Sequence, residues 1–240
     1  MTSMHLTTLA DCCEIVSGAT PSTSIDEYWN GNIFWATPKD LSDLDSHYIA
    51  DTPRKLTEQG LQSCAVTILP PNSVLFSSRA PIGHVAINTV PMATNQGFKS
   101  FIQNPGLIDA KYLFHWLRSN RTYLESLGNG ATFKEVSKAV VSKVKVPSPP
   151  LEEQRRIAAI LDQADALRAK RREALAQLDA LTQSIFMEMF GDPSISPASS
   201  DSSQLVQLAE LAVGGLQNGA YYPKEMYADD GFEMVRMCDA

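Results

Sequence analysis

The chain has 240 residues, 44% of them hydrophobic, and a formal net charge of −7 at pH 7. This length allows one large or two small domains, and the apolar fraction is sufficient for a packed core. The sequence has no run of 18 apolar residues, no basic and apolar leader and no C-x-x-C pair. We therefore expect a cytoplasmic protein with no membrane span, no metal site, no cofactor and no disulfide framework.

The acidic residues are concentrated at the C-terminal end. Residues 1–150 carry twelve basic and twelve acidic groups, residues 151–190 carry six and seven, and residues 191–240 carry two and eight. The overall charge argues weakly against nucleic acid as a partner. A local basic face can still bind phosphate, and one candidate is the group Lys134, Lys138, Lys143 and Lys145, interrupted only by Glu135.

Residues 1–148 predict a strand-rich α+β domain. Short apolar or β-branched segments that end at Pro, Gly or Asn predict strands at 33–37, 65–69, 73–78, 83–88 and 99–103. Residues 9–16 fit either a short strand or a helical turn, and the polar segment 39–45 predicts a turn. Residues 110–119 predict a helix with Asp109 as its N-cap.

The longest helical pattern in the sequence runs from Leu151 to Phe190. It contains no Gly or Pro and is rich in residues of high helix propensity. Prolines suit the entry at positions 149 and 150, and Gly191 supplies a stop. Forty helical residues are about 60 Å long, roughly twice the diameter of a small domain. We therefore assign residues 149–191 to one long helix that projects out of the domain that precedes it.

A heptad pattern along this helix predicts a partner helix, as in a coiled coil. Eight of the ten residues at the two core positions are apolar. The residues expected to pair are Ile157, Ile160, Ala164, Leu167, Leu178, Leu181 and Ile185. The alternative is a single surface helix that packs on its own domain. The arginine-rich face either is solvated or faces an acidic partner.

The C-terminal part of the chain predicts a linker and the start of a second unit. Residues 192–204 are rich in Ser and Pro, as in flexible linkers. Residues 205–240 repeat the start of the chain at a constant offset of 199 positions, because Leu9-Ala10-Asp11 matches Leu208-Ala209-Glu210 and Trp35 matches Met234. A constant offset favours a duplicated unit. We expect residues 205–240 to be the start of an incomplete second domain.

Three loops carry residues suited to nucleic acid. Residues 77–84 contain Ser, Ser and Arg but no acidic residue, residues 94–99 combine two amides with glycine and lysine, and residues 129–134 have a similar mixture. Arginine and amide side chains can recognise base edges, and lysine and serine can bind phosphate. Ordinary polar turns explain the first two segments equally well, with Asn95 capping the second.

Signs of catalysis are weak. The four histidines are isolated in the sequence, and a phosphate-binding G-x-x-x-x-G-K-[ST] loop is absent. Ser148-Pro-Pro-Leu lacks the aromatic residue of the amino-methyltransferase motif, and Asp109-Ala-Lys111 is too short to identify a nuclease. We expect a non-catalytic protein.

Taken together, these segments resemble the DNA specificity subunit of type I restriction-modification systems. The strongest likeness is the helix that begins Pro-Pro-Leu-Glu-Glu-Gln-Arg-Arg at Pro149 and ends Met-Phe-Gly-Asp-Pro at Pro193, which resembles the family's central conserved helix. Residues 74–83, 94–98 and 130–132 resemble its target-recognition domain. The resemblance implies a recognition domain in residues 1–148 and a helix that pairs antiparallel with another.

The resemblance also implies a function. Such a subunit is not an enzyme: it recognises half of a bipartite site in double-stranded DNA and recruits modification subunits that methylate adenine and restriction subunits that cut. On this basis the residues expected to contact DNA are Thr20, Ser22, Lys39, Ser78, Arg79, Asn95, Gln96, Lys99 and Lys134. The chain is short for this family, so we expect either a second copy of itself to complete the fold or a truncated subunit. Two alternatives stay open: a scaffold that binds only modification subunits, and a DNA-modifying enzyme that acts alone.

Overall fold

The computed structural model describes residues 5–44, 46–79, 81–130 and 134–191. The predicted linker 192–204 and second unit 205–240 lie outside these residues. The described strands are β1 (Leu6–Thr8), β2 (Cys13–Ser17), β3 (Trp29–Ala36), β4 (Tyr48–Ile49), β5 (Lys55–Leu56), β6 (Val74–Phe76), β7 (Val85–Asn88), β8 (Ala93–Thr94), β9 (Lys99–Gln103) and β10 (Lys145–Pro147). The helices are α1 (Leu9–Cys12), α2 (Pro38–Ser42), α3 (Glu58–Gln62), α4 (Ala110–Ser119), α5 (Arg121–Ser126), α6 (Lys138–Val141) and α7 (Leu151–Phe190).

A five-stranded sheet in the order β2-β9-β6-β7-β4 forms the centre of the domain. Its pairs are antiparallel except β4 with β7, which are parallel. A second sheet has the order β5-β3-β8, and β1 pairs with β10. The mixed sheets of residues 6–147, followed by the long helix α7, confirm the predicted α+β class.

Alternating side chains place a hydrophobic core on each face of the five-stranded sheet. Val74 and Phe76 face the core that contains α4, whereas Leu75 between them faces the core that contains Leu41 and Met92. This alternation follows from the two-residue repeat of a strand. A third cluster, around Trp29 and Trp35, covers the smaller sheet.

The base of α7 is anchored in the domain by one buried glutamine. Gln154 is buried, its Oε1 accepts a hydrogen bond of 2.9 Å from Asp109 N, and its Nε2 donates to Leu107 O at 3.0 Å and to Pro149 O at 2.8 Å. Ala158, one turn later, is also buried in the main core. The domain and the start of α7 therefore belong to one compact unit, which extends to Leu178; the last turns of α7 belong to a second unit.

Several local predictions are confirmed. Helix α7 covers Leu151–Phe190, strand β9 covers Lys99–Gln103, and α4 covers Ala110–Ser119. Asp109 caps α4, because its carboxylate accepts hydrogen bonds from Lys111 N and Tyr112 N. The ambiguous segment 9–16 contains both structures, the helical turn α1 followed by the strand β2.

Two local predictions are wrong. Residues 65–69 do not form a strand: Ala65 ends a turn, residues 66–68 have no regular structure, and Leu69 makes only an isolated bridge with Met92. The two prolines that follow Leu69 have no N–H to extend this pairing. The predicted turn at 39–45 begins instead as α2, because the Asp40 carboxylate caps it by accepting from Thr37 N and Oγ1 at 2.7 and 2.8 Å.

Candidate nucleic-acid interface

Four strands end and one begins at the same edge of the domain. Ser17, the last residue of β2, lies opposite Lys99, the first of β9. The parallel pair β3 and β8 aligns Ala36 with Thr94 at their ends. Ser77, directly after β6, bridges to Phe98. The loops that extend from these strand ends therefore meet, and we call this surface the loop edge: residues 18–24, 37–42, 77–79, 81–83, 94–97, 129–130 and 134–135.

Backbone hydrogen bonds hold the loops of this edge together. Ala19 N donates to Thr94 O at 3.0 Å, and Asn95 N donates to Ala36 O at 3.0 Å. A Cβ atom at Gly18 would lie 2.0 Å from the backbone oxygen of Asn95, so only glycine permits this approach. Such ties limit the motion of the side chains that the loops present.

A shallow cleft of about 460 Å³ opens on the loop edge. It brings together four of the predicted DNA-contacting residues, Lys39, Arg79, Asn95 and Gln96. Their donors and acceptors are the types that bind phosphates and the major-groove edges of guanine and adenine. Thr37, Pro38, Ser42, Pro81 and Gly97 complete the lining.

Glu135 holds two of the predicted cations. Its carboxylate accepts a hydrogen bond of 2.8 Å from Arg79 Nε and one of 3.2 Å from Lys99 Nζ. Burial raises the pKa of Glu135, but the hydrogen bonds from Arg79 and Lys99 outweigh it, and the pKa lies below its ordinary value. Glu135 is not among the contact residues predicted from the sequence, although an acidic residue among four lysines is a sign of an internal ion pair.

The structure does not support a direct DNA contact for Ser78 or Lys99. Ser78 is fully buried, and its hydroxyl donates to Gly97 O at 3.1 Å. The Lys99 side chain is only 8% exposed, and its ammonium group is occupied by Glu135. Both residues belong to the loop motifs in the sequence, but their side chains are buried inside the domain. They stabilise the loops through hydrogen bonds within the domain.

The remaining predicted contact residues are accessible. Thr20 Oγ1 hydrogen-bonds to Gln96 Oε1, which joins two loops, and Ser22 Oγ lies 2.9 Å from Ser24 Oγ. Lys39, Gln96 and Lys134 are exposed. The predicted turn at Asn95 is present, since its Oδ1 accepts from Gly97 N at 2.9 Å. The residue caps the turn and also lines the cleft.

A second polar cluster joins the domain to α7. Asp162 Oδ1 lies 2.7 Å from His115 Nε2, and Lys111 Nζ donates to Asp162 Oδ2 at 2.8 Å. These two hydrogen bonds outweigh the effect of burial and lower the pKa of Asp162. The hydrogen bond to Asp162, followed by one to Tyr48, raises the pKa of Lys111. Asp165 Oδ2 accepts from Arg118 Nη1 at 2.6 Å, and His47 lies beside it.

His47 and His115 are isolated in the sequence, but the structure brings their side chains together. Their donor atoms and a carboxylate oxygen of Asp165 lie within 4.8 Å of one another, a distance that a metal ion could bridge. However, Arg118 Nη1 lies 2.6 Å from Asp165 Oδ2 and 3.1 Å from His47 Nε2. A guanidinium already supplies the positive charge there, so the residues form an ion-pair network that fixes α7 to the domain.

A row of exposed apolar side chains lies along α7. Ile160 is 51% exposed, Leu167 67%, Leu181 53% and Ile185 45%, and Ala164 and Leu178 are also exposed. Ile157 differs, because it is half-buried against the domain core. At 100° per residue the exposed members share one face of the helix, away from the face of Gln154 and Ala158. None of the described helices is both long and apolar enough to span a membrane.

Known proteins resemble this chain over most of its described residues. The family model for the type I restriction modification DNA specificity domain matches residues 3–177. The MjaIX specificity subunit of Methanocaldococcus jannaschii is 37% identical over 186 residues, 77% of this chain and 43% of the relative. The EcoR124I/EcoR124II specificity subunit of Escherichia coli is 29% identical over 171 residues, 67% of this chain and 40% of the relative.

A solved structure has the same fold. The crystal structure of the HsdS subunit from Thermoanaerobacter tengcongensis superposes with a TM-score of 0.60 and 25% identity over 80% of this chain and 45% of that protein. The chain spans less than half the length of each of these three relatives.

Proposed function

The chain belongs to the type I restriction-modification DNA specificity family, and we propose that it recognises one half of a bipartite site in double-stranded DNA. The observation that carries this proposal is the convergence of five strand ends at one edge, where cations and amides line a shared cleft. A rigid set of loops that presents several kinds of donor and acceptor is suited to discriminate between base pairs.

Each accessible residue of the loop edge has a chemical role in this proposal. Arg79 Nε is bound to Glu135, and the structure records no hydrogen bond from its two terminal nitrogens to any described residue. These nitrogens match the O6 and N7 acceptors of guanine. Asn95 and Gln96 suit adenine, whereas Lys39, Lys134, Thr20 and Ser22 suit the phosphate backbone.

We propose that the apolar face of α7 pairs with another copy of the same helix. Side chains of this face are 45–67% exposed at Ile160, Leu167, Leu181 and Ile185, and exposed apolar patches of this kind mark interaction sites. Antiparallel pairing would place two recognition domains at opposite ends, each above one half-site. The modification and restriction subunits would then supply methylation and cleavage, and this chain would have no catalytic role.

Two other functions can be tested with the same purified chain and DNA. A scaffold that only binds modification subunits would not distinguish one DNA sequence from another. An enzyme that acts alone would methylate or cut DNA when purified without partners. The specific arrangement of the loop edge favours recognition over both, because neither alternative requires amides and an arginine in a preformed cleft.

The experiment is a selection of DNA by the purified full-length chain from a library of random duplexes, followed by sequencing. We expect enrichment of a defined motif by the wild-type chain, and loss of that enrichment in a Gln96→Ala and Arg79→Ala double variant. A wild-type protein that binds all duplexes equally would contradict the proposal and favour the scaffold. Loss or modification of the input DNA would favour the enzyme.

A further inference from the structure

A second and larger cleft, of about 1010 Å³, lies between the domain and residues 162–175 of α7. Basic side chains from both sides of the cleft line it. Lys111, Arg118 and Arg121 come from α4 and α5 of the domain, and Arg168, Arg171 and Arg172 come from α7. The carboxylates that line this cleft are Asp162 and Asp165.

Both carboxylates are already paired in the ion-pair network that anchors α7. Asp162 binds Lys111 and His115, and Asp165 binds Arg118, with His47 at 3.2 Å. Arg168 Nη1 lies 3.6 Å from Asp165 but is largely exposed. Arg121 pairs with Glu125 on its own helix. Arg171 and Arg172 form no ion pair with any described residue, so the cleft has a surplus of positive charge.

The basic cleft adjoins the loop edge. Helix α2 contributes Lys39 and Ser42 to the loop-edge cleft, and Leu41 to the basic cleft. The segment after β6 does the same, with Arg79 and Pro81 on one side and Gly83 and His84 on the other. A ligand that binds the loop edge therefore needs to pass only one short helix and one turn to reach the arginines.

We infer that the basic cleft binds the sugar-phosphate backbone of DNA beside the recognised half-site, on the side of α7. The inference rests on the proposed recognition of DNA at the loop edge. Arginine suits this role, because its guanidinium binds phosphate oxygens through two parallel hydrogen bonds. Arg168 and Arg172 are four residues apart, which is about 6 Å along the helix. Two base-pair steps of duplex cover a similar distance, about 7 Å per strand.

These contacts would position the duplex without reading its sequence. They would hold the segment between the two half-sites against the helix that sets their separation. An acidic protein surface is the other class of partner that such a cleft could accept. Its continuity with the loop edge favours DNA.

The test is the salt dependence of DNA binding by the full-length chain with Arg168→Gln and Arg172→Gln introduced together. The matched control carries Arg155→Gln and Lys170→Gln, two exposed α7 cations that do not line the cleft. Arg155 has a long ion pair, 3.9 Å to Asp109, comparable with the 3.6 Å pair of Arg168. Glutamine keeps high helix propensity in both variants. Circular dichroism and sedimentation verify the fold and the assembly state.

Each phosphate contact contributes about 0.9 to the slope of log affinity against log salt. We expect the magnitude of this slope to decrease by about 1–2 in the cleft variant, to the same extent on a selected duplex and on a scrambled one. The control variant should have the same slope as the wild type. An unchanged slope in the cleft variant, an equal change in the control, or a wild-type chain that binds no DNA would overturn the inference. An acidic partner whose capture requires Arg168 and Arg172, without a change in slope, would assign the cleft to that protein.

Failure of the proposed function gives a different result. A wild-type chain that binds the selected and scrambled duplexes equally would refute sequence recognition. The slope difference between the cleft variant and its control would still report whether the arginines bind the backbone.

Discussion

Glu135 Oε2 accepts a hydrogen bond of 2.8 Å from Arg79 Nε, although the two residues are 56 positions apart. A backbone bridge between the same residues reinforces this contact. The contact fixes Nε of the guanidinium, and the structure records no hydrogen bond from the two terminal nitrogens to any described residue. The second carboxylate oxygen of Glu135 binds Lys99, so one acidic residue organises both the accessible cation and the buried one.

Replacement of Glu135 by Gln is expected to lower the free energy of unfolding by about 1–3 kcal/mol, the usual cost of leaving a buried polar group unpaired. Lys99 is the reason, because its nearly buried ammonium group would lose its only anionic partner among the described residues. Urea unfolding measures the change. Glu125→Gln is the matched control: its pair with Arg121 is exposed, and we expect a loss of less than about 1 kcal/mol. Equal losses in the two variants would contradict this role of Glu135.

Arg79→Ala is expected to weaken binding to the selected DNA motif by about 1–3 kcal/mol, the discrimination that a bidentate contact to guanine provides. Arg79→Lys should recover little of this affinity, because an ammonium group cannot form the same paired contact. Fluorescence anisotropy on selected and scrambled duplexes gives both affinities. Lys170→Ala, an exposed change on α7 that lines neither cleft, is the control. Unchanged discrimination in a folded Arg79→Ala variant would remove this residue from the interface.

Leu167→Glu is expected to abolish helix pairing, because a charge would replace an apolar side chain that is 67% exposed on the α7 face. Sedimentation velocity should show a species of lower mass than the wild type at the same concentration. Gln177→Glu adds the same charge outside the apolar face and should leave the mass unchanged. A Leu167→Glu variant that assembles like the wild type would show that this face is not the pairing surface.

Acidification is expected to lower the free energy of unfolding, because His47, in the network that attaches α7 to the domain, resists protonation in the folded chain. Burial, followed by the charge of Arg118, lowers the pKa of His47, although Asp165 and Asp162 act in the opposite direction and His115 adds to the lowering. Below the ordinary histidine pKa of about 6.5, the unfolded chain therefore binds a proton that the folded chain resists. Stability should fall as the pH drops from 7.5 to 5.5.

The measurement is chemical unfolding of wild type and His47→Gln at pH 7.5 and 5.5. The variant should lose less stability than the wild type across this interval, because it lacks His47, whereas His84, whose pKa burial also lowers, is present in both proteins. A second loss is expected near and below pH 4 in both proteins, because the pKa of Asp162 is lowered and its ion pairs are present only above that pKa. Identical pH dependence of the two proteins between 7.5 and 5.5 would contradict the role of His47.

Local patterns in the sequence were sufficient for the elements that depend on neighbouring residues. The absence of Gly and Pro predicted α7 from Leu151 to Phe190, and an N-cap predicted the start of α4 at Asp109. Residues 65–69 have the composition of a strand, but among the described residues only Leu69 finds a β-partner, Met92, so no strand forms there.

The sequence was sufficient to predict which loops form the candidate site, but not which of their side chains are buried. The motifs identified the segments that hold Arg79, Asn95 and Gln96, and the structure brings them into one cleft. The same motifs included Ser78 and Lys99, whose burial depends on the register of β6 against β9 and on Glu135. The meeting of His47 and His115 likewise depends on tertiary packing, which spacing along the chain does not reveal.

The most direct test of the account is a map of methyladenine in DNA from cells that express this chain together with the modification subunit that the proposed function requires. If two copies pair through α7 and each loop edge recognises the same half-site, methylation should occur at a split, palindromic motif. The Leu167→Glu variant should then lose methylation, and Arg79→Ala should reduce or relax it. A soluble complex of the wild-type chain that leaves no sequence motif in the methylation map would contradict the central claim.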